Sequence, residues 1–282
     1  MDTALVNGEY VPKSTASVSI FDRGFLFADS VYEVVPVYAG RAFKLAAHIQ
    51  RLEASLDAIG IPNPHDRDEW QRLIRALIEV NGGGDVSVYL QVTRGAPARR
   101  EHRLPTGVQP NVVAFCQSRN APSAAALTRG VSAITQRDTR WPLCHIKSTS
   151  LLANVLATAE AHQNDASETL FIDTAGGVVE GASSNVFAVV EGRVLTPVLR
   201  ETILPGITRT VVLTILRQLG IAHAQVDHLP LLALRKAQEV WICSSTREVL
   251  PVTQLDGAFV GDGAPGAIWA RVHQELQSND HE

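Results

Sequence analysis

The chain has 282 residues, 45% of them hydrophobic, and a formal net charge of −4, which suits one large or two ordinary globular domains with a substantial core. The acidic balance and the lack of any Lys/Arg-rich run argue against a nucleic-acid binder, and no stretch approaches the roughly 20 apolar residues of a membrane span. Met1 to Val6 has no basic flank followed by an apolar run, so a cytoplasmic location is expected. The three cysteines, Cys116, Cys144 and Cys243, are widely spaced, and the nine histidines show no His-x-His or His-Glu-x-x-His pattern. Neither a disulfide framework nor a metal site is expected.

In chain order, Asn7-Gly8-Glu9 reads as a tight turn between two short strands and Asp22-Arg23-Gly24 as a second turn. Val31 to Tyr38 alternates as a strand, with Tyr32, Val34, Pro36 and Tyr38 on one face and Val31, Glu33, Val35 and Val37 on the other. Pro36 removes a ladder donor, which predicts an edge or a bulge there. Leu45 to Ile59 is predicted helical from the spacing of Ile49, Leu52, Leu56 and Ile59, and Asp66 to Val80 forms a second helix closed by Gly82-Gly83-Gly84. Predicted strands follow from Val86 to Thr93 and from Asn111 to Gln117. Residues 119–125 are the expected linker between an N-terminal domain of residues 1–118 and a C-terminal domain of residues 126–282. Beyond it the pattern predicts a strand from Gly130 to Gln136, a helix from Thr149 to His162 and a hairpin pairing Thr169 to Asp173 with Val178 to Val190. A short strand ending at Pro197, a helix from Gly206 to Leu219, a strand from Val240 to Ser244 and a last helix from Ala267 to Leu276 complete the reading.

Four lysines occur, at positions 13, 44, 147 and 236. Lys13, Lys44 and Lys236 occupy ordinary solvated positions. Lys147 lies between His145-Ile146 and Ser148-Thr149-Ser150 at the predicted helix entrance, where partial burial favours the neutral amine that imine formation needs. Glu180 sits in Val179-Glu180-Gly181-Ala182-Ser183-Ser184-Asn185, and a carboxylate there can keep a pyridine nitrogen protonated. Gly181 permits close backbone approach, and Ser183, Ser184 and Asn185 supply neutral donors. Taken alone, each is as readily a surface lysine or a polar bend; taken together they point to a pyridoxal phosphate enzyme rather than a binding module. Gly206-Ile207-Thr208 opens a helix whose N–H groups favour an anion, Ser244-Ser245-Thr246 ends a strand with hydroxyls, and Arg51 is a candidate bidentate cation. Neither a Walker-type loop nor a Gly-x-Gly-x-x-Gly follows a strand, which argues against nucleotide cofactors.

Six segments agree in order and spacing with one family: Asp22-Arg23-Gly24, Val31-Tyr32-Glu33, His48-Ile49-Gln50-Arg51-Leu52, Lys147-Ser148, Glu180-Gly181-Ala182-Ser183-Ser184-Asn185-Val186-Phe187 and Gly206-Ile207-Thr208-Arg209. From about residue 5 to residue 275 the chain resembles the fold-type IV (class IV) pyridoxal phosphate aminotransferases. The resemblance implies an α+β protein of two domains, a smaller N-terminal α/β domain and a larger C-terminal domain rich in β-structure, with pyridoxal 5'-phosphate at their interface. It implies that Lys147 forms the Schiff base and then serves as the acid/base of transamination, that Glu180 faces the ring nitrogen, and that Arg51 is a phosphate ligand. Ser183, Ser184, Asn185, Ile207, Thr208, Ser244 and Ser245 are implied to lie near the phosphate or ring. Amino acid and 2-oxo acid substrates are implied, in a homodimer whose pockets are completed by the neighbouring subunit.

The loop from Thr93 to His102 resembles the D-amino acid aminotransferase version, in which an Arg-x-His pair and a Tyr hold the substrate carboxylate. Arg100, His102 and Tyr32 fit those roles. The loop is one residue longer before the Arg-x-His than the family pattern, so Arg99 is an alternative to Arg100, and Ala182 stands where the family usually has a hydroxyl residue. The expected activity is amino transfer from a D-amino acid of the D-alanine or D-glutamate type to 2-oxoglutarate or pyruvate. An (R)-selective amine transaminase, a branched-chain L-aminotransferase and an aminodeoxychorismate lyase share the fold and are the rival readings.

Overall fold

The computed structural model describes residues 1–119 and 121–278. Asn120 of the expected linker and residues 279–282 of the expected second domain lie outside the described residues. The chain divides into two compact units, one running from Met1 to residue 119 with Ile146–Ser150 added, the other formed by Ala121–His145 and the chain from Leu151 onward. The segment that carries Lys147 therefore clusters with the first unit rather than with the part of the sequence around it. The cause is backbone pairing: Val31 and Ser148 form an antiparallel bridge, Tyr32 N–H donates to Lys147 O at 2.9 Å, and Thr149 N–H donates to Ser30 O at 3.1 Å.

The first unit comprises β1 (Thr3–Val6), β2 (Glu9–Pro12), α1 (Arg23–Phe27), β3 (Ser30–Tyr38), β4 (Arg41–Ala42), α2 (Leu45–Ala58), α3 (Arg67–Val80), β5 (Val86–Thr93) and β6 (Asn111–Ser118). Its strands form one sheet in the order β2-β1-β6-β5-β3-β4. Asn7 and Gly8 turn between β1 and β2 with φ of 51° and 88°, the left-handed pair a two-residue hairpin requires. The expected turn at Asp22 is instead the start of α1, because Asp22 Oδ1 accepts the Gly24 N–H at 2.7 Å as an N-cap. Along β3 the predicted alternation holds except at Pro36: Val31, Glu33, Val35 and Val37 are buried and Tyr32, Val34 and Tyr38 half-buried, but Pro36 on the second face is buried too. β4 pairs with β3 only at Val37 and Tyr38, so the missing N–H of Pro36 falls beside the shortest strand of the sheet.

The second unit comprises α4 (Ala124–Arg129), β7 (Val131–Arg137), α5 (Leu152–Gln163), β8 (Glu168–Ile172), β9 (Val178–Gly181), β10 (Asn185–Val190), β11 (Arg193–Pro197), α6 (Ile207–Gln218), β12 (His223–Val226), α7 (Leu231–Arg235), β13 (Glu239–Ser244), β14 (Glu248–Leu255), β15 (Ala258–Phe259) and α8 (Ala267–Ser278). A nine-stranded sheet runs β12-β11-β10-β13-β14-β7-β8-β9, with β15 paired to β14. Its core gathers Leu170, Val178, Val186, Ala188, Ile242 and Val252. Helix α5 begins at Leu152 rather than Thr149, since Ser148 bridges Val31 and Thr149 N–H bonds Ser30 O in the first unit. The expected long strand from Val178 to Val190 is broken at Ala182–Ser184 into β9 and β10. Strands β12 and β14 and helices α4 and α7 were not legible in the periodicity. Among the described residues no helix is long and apolar enough to cross a membrane.

Candidate active site

In the first unit, the bridge between Val31 and Ser148 sets Lys147 beside β3. Its Nζ lies 4.3 Å from the ring centroid of Tyr32, and its N–H donates to Ser55 Oγ at 3.2 Å. Tyr32 stacks on Tyr89 at 5.7 Å, and Tyr89 on Phe115 at 5.1 Å. Burial, with a smaller push from Tyr32, raises the Tyr89 phenol to about 12, so Tyr89 stays a neutral donor, to Gln91 Oε1 at 2.9 Å.

Glu33 occupies the opposite face of β3 and is 1% exposed. Arg51 grips it from α2 with two hydrogen bonds, Nε to Oε1 at 2.8 Å and Nη2 to Oε2 at 2.7 Å, a fork the guanidinium is shaped for. His48 Nδ1 lies 2.7 Å from Glu33 Oε2. Burial opposes ionisation of Glu33, yet the Arg51 charge and the hydrogen bonds from Arg51 and His48 hold its pKa down at about 2. For His48 burial pushes the pKa down; Glu33 opposes this, and the charges of Arg51 and Lys147 lower it further. A neutral imidazole donating through Nδ1 follows, and His48 Nε2 has no hydrogen-bond partner among the described residues.

The loop after β5 is pinned from beneath. Arg23, buried on α1, sets Nε 2.7 Å from Asp29 Oδ2 and donates from Nη1 to Glu101 O at 2.7 Å. Arg94 shares the same carboxylate at 2.8 Å and also donates to the carbonyls of Ile59 and Gly60. Above this anchor, Phe27 carries both predicted carboxylate binders: the Arg100 guanidinium carbon is 4.7 Å from its centroid and the His102 ring 5.2 Å away. Arg99 has 81% of its side chain exposed and lies 3.4 Å from Glu101.

In the second unit, Glu180 ends β9 with its side chain 5% exposed, and Arg140 Nη1 donates to its Oε1 at 2.6 Å. Its Oε2 accepts from Asn185 Nδ2 at 3.1 Å and Leu204 N–H at 3.0 Å. Arg140 also forks onto Asp138, with Nε to Oδ1 at 3.0 Å and Nη2 to Oδ2 at 2.8 Å. Burial lowers the Arg140 pKa, but Asp138 and Glu180 more than reverse that, so Glu180 faces a permanent cation. Helix α6 opens at Gly206 without a side-chain cap, leaving its first N–H groups, those of Ile207 and Thr208 among them, to face outward. A Cβ on Gly206 would meet Asn185 Oδ1 at 2.0 Å, so only glycine lets the helix start sit this close to the Glu180–Asn185 pair. Ser183 and Ser184, in the β9–β10 turn, both donate to buried Glu168 Oε2, at 3.0 and 2.8 Å. Ser244 and Ser245 lie at the β13–β14 turn, where Ser244 Oγ accepts from Arg247 N–H at 3.2 Å.

Thus Lys147 and Tyr32 come together, as do Glu180 and Asn185; Arg100 and His102 each contact Phe27, Arg51 is forked onto Glu33, and Arg99 lies near Glu101. Glu33, Arg140, Glu168, Arg247, Arg23 and Phe27 were not singled out as site residues. For Glu33 a signal existed, since it is a carboxylate on the apolar face of an alternating strand; Arg140 and Glu168 offer none, because Glu180 is 40 positions from Arg140 and Arg247 is 79 from Glu168.

The profile described as Amino-transferase class IV matches residues 30–255. The chain is 39% identical to a D-alanine aminotransferase of Listeria monocytogenes over 271 residues, covering 96% of this chain and 93% of the relative. A D-alanine aminotransferase of Bacillus licheniformis is also 39% identical, with 98% and 96% covered. Among solved structures, the branched-chain amino acid aminotransferase of Escherichia coli superimposes with a TM-score of 0.90 at 26% identity, covering 97% of this chain and 92% of that one. With a family profile spanning most of the sequence and near-full-length relatives agreeing on it, this chain belongs to the class IV aminotransferases.

Proposed function

We propose that the protein is a pyridoxal 5'-phosphate-dependent D-amino acid aminotransferase, moving the amino group of a donor such as D-alanine or D-glutamate to a 2-oxo acid. The observation that supports the donor class is that Arg100 and His102 both contact the Phe27 ring, a guanidinium and an imidazole that could serve one carboxylate. The D-alanine aminotransferases that match nearly the whole chain support the same choice. The donor set also fits the cofactor. Ion-paired Glu180 is acceptor-only, which suits a protonated pyridine nitrogen; the uncapped start of α6 suits a phosphate; and Lys147 supplies the amine.

When bound, pyridoxal 5'-phosphate supplies an electron-withdrawing ring that stabilises negative charge at the substrate α-carbon. Lys147 Nζ, steadied over Tyr32, takes the proton from that carbon and returns it elsewhere. Glu180, ion-paired with Arg140, would accept from the ring nitrogen of the bound cofactor. Ile207 and Thr208 offer N–H groups to the phosphate, joined by Ser244, Ser245 and Arg51. Arg100 and His102, with the Tyr32 hydroxyl, grip the substrate carboxylate. Exposed apolar side chains on α5, Leu152, Val155 and Leu156, and near the N-terminus, Ile20 and Phe25, support a homodimer, since such strips are covered in stable assemblies. Three buried, unpaired cysteines support a reducing, cytoplasmic setting.

The test is a donor panel with 2-oxoglutarate as acceptor. D-alanine and D-glutamate are expected to outpace L-leucine and 1-phenylethylamine, and Lys147→Ala is expected to abolish turnover. Faster L-leucine turnover would overturn the donor class, and a fully active Lys147→Ala protein the mechanism.

A further inference from the structure

Glu168 is 2% exposed, lies outside every motif singled out from the sequence, and collects hydrogen bonds from two turns. Its Oε2 accepts from Ser183 Oγ at 3.0 Å, Ser184 Oγ at 2.8 Å and Arg247 Nη1 at 3.2 Å. Oε1 accepts from Thr169 N–H at 3.1 Å. In both serine contacts the hydroxyl is the donor and the carboxylate oxygen the acceptor. Each hydroxyl has one proton, and Glu168 takes it.

The rest of the β9–β10 turn is tied down as well. Ala182 N–H donates to Thr169 O at 2.9 Å, Gly181 N–H to Ser184 O at 2.6 Å, and Ala182 O accepts from Asn154 Nδ2 at 2.8 Å. A Cβ on Gly181 would lie 2.3 Å from Ser184 Oγ and 3.1 Å from Glu168 Cδ, so the turn is packed directly on the carboxylate. Among the described residues, nothing accepts from the N–H groups of Ser183 and Ser184. On the other side, Arg247 connects Glu168 to the turn that holds Ser244, whose Oγ accepts from Arg247 N–H.

We infer that Glu168 is a positioning residue for the cofactor: it locks the Ser183-Ser184 turn to the Ser244–Arg247 turn and, by taking both hydroxyl protons, leaves Ser183 and Ser184 to face the ligand with backbone N–H groups rather than as hydroxyl donors. Consecutive outward N–H groups form an anion-binding concavity, and a carboxylate behind them keeps that concavity in shape without touching the ligand. This inference rests on the pyridoxal phosphate reading given above.

The test is a double-mutant cycle read as the pyridoxal 5'-phosphate Kd of apoprotein, followed by absorbance titration. If Ser184 acts through Glu168, then Ser184→Ala and Glu168→Gln remove the same contact. Each single variant is expected to weaken binding by roughly tenfold, and the double variant by little more than the weaker-binding single one. Independent, multiplying effects would show that Ser184 donates directly to the ligand and overturn the inference, as would a Glu168→Gln protein with unchanged Kd. Where Glu168→Gln does not fold by circular dichroism, Arg247→Gln, at a side chain 27% exposed, takes its place in the cycle, and multiplying effects again overturn the inference. Failure of the wild-type apoprotein to bind pyridoxal 5'-phosphate would instead refute the cofactor reading itself.

Discussion

Replacing Arg140 with Gln isolates the strongest buried charge contact of the second unit. In the native protein both partners are dry: the Arg140 and Glu180 side chains are each 5% exposed and 2.6 Å apart. Removing the cation leaves Glu180 with neutral donors such as Asn185 Nδ2 and Leu204 N–H, which do not replace an opposite charge in low dielectric. Breaking a buried pair costs about 3–5 kcal/mol. Asp138, 14% exposed, can recover water, which places the loss at the lower end of that range. Glu180→Gln leaves Arg140 its fork on Asp138 and costs less. In the double variant Arg140→Gln/Glu180→Gln the stranded carboxylate is gone, so the losses fall short of additivity by roughly 1–3 kcal/mol. Urea unfolding followed by tryptophan fluorescence reads this directly, because Trp141, Trp241 and Trp269 all lie in the second unit. An Arg140→Gln protein within about 0.5 kcal/mol of wild type, or strictly additive losses, would refute the reasoning.

Two further outcomes follow from the first unit. Arg100→Ala is expected to lower kcat/KM for D-alanine by one to two decades, the loss of a charge-assisted contact of about 1.5–3 kcal/mol, whereas solvent-turned Arg99→Ala stays within about threefold; the reverse ranking in steady-state kinetics would assign the carboxylate to Arg99. Glu33 has its pKa held at about 2 against an ordinary value of 4.5, so its contribution to stability is complete above pH 4.5 and is lost as pH falls toward 2. That gap is worth roughly 3 kcal/mol. The stability advantage of wild type over Glu33→Gln, from urea midpoints at pH 7 down to pH 3, should therefore shrink on acidification, and an advantage that grows would contradict the ion-pair account.

Local pattern carried most of the fold. The faces of β3, the extents of α2 and α3, and the left-handed turn at Asn7-Gly8 depend on neighbours a few residues apart, which is what periodicity and turn chemistry report. The failures were places where distant backbone intervened. Thr149 and Ser150 read as the first turn of a helix, but Thr149 N–H is taken by Ser30 O beside the Val31–Ser148 bridge; Val178 to Val190 reads as one strand, but packing of Ala182–Ser184 against Glu168 and Asn154 breaks it. In the loop after β5 the sequence narrowed the carboxylate binder to Arg99 or Arg100. The difference between them comes from Phe27, which lies outside the loop and contacts Arg100, while Arg99 is 81% exposed.

The site residues share a feature no short motif can encode. Lys147 was found because it is a lysine in an unusual place, and Glu180 because a glycine and serines follow it. What makes each group chemically definite comes from far along the chain: Arg140 is 40 positions from Glu180, Arg247 is 79 from Glu168, and Glu33 is 18 from Arg51. A carboxylate buried alone would take up a proton, and one facing a fixed guanidinium stays charged through neutral pH. These three long-range pairs each tie together elements that a motif search reads separately. Substitution of a pairing arginine should accordingly alter the chemistry of a carboxylate it merely touches, which makes Arg140 and Arg247 as informative to mutate as the residues they serve.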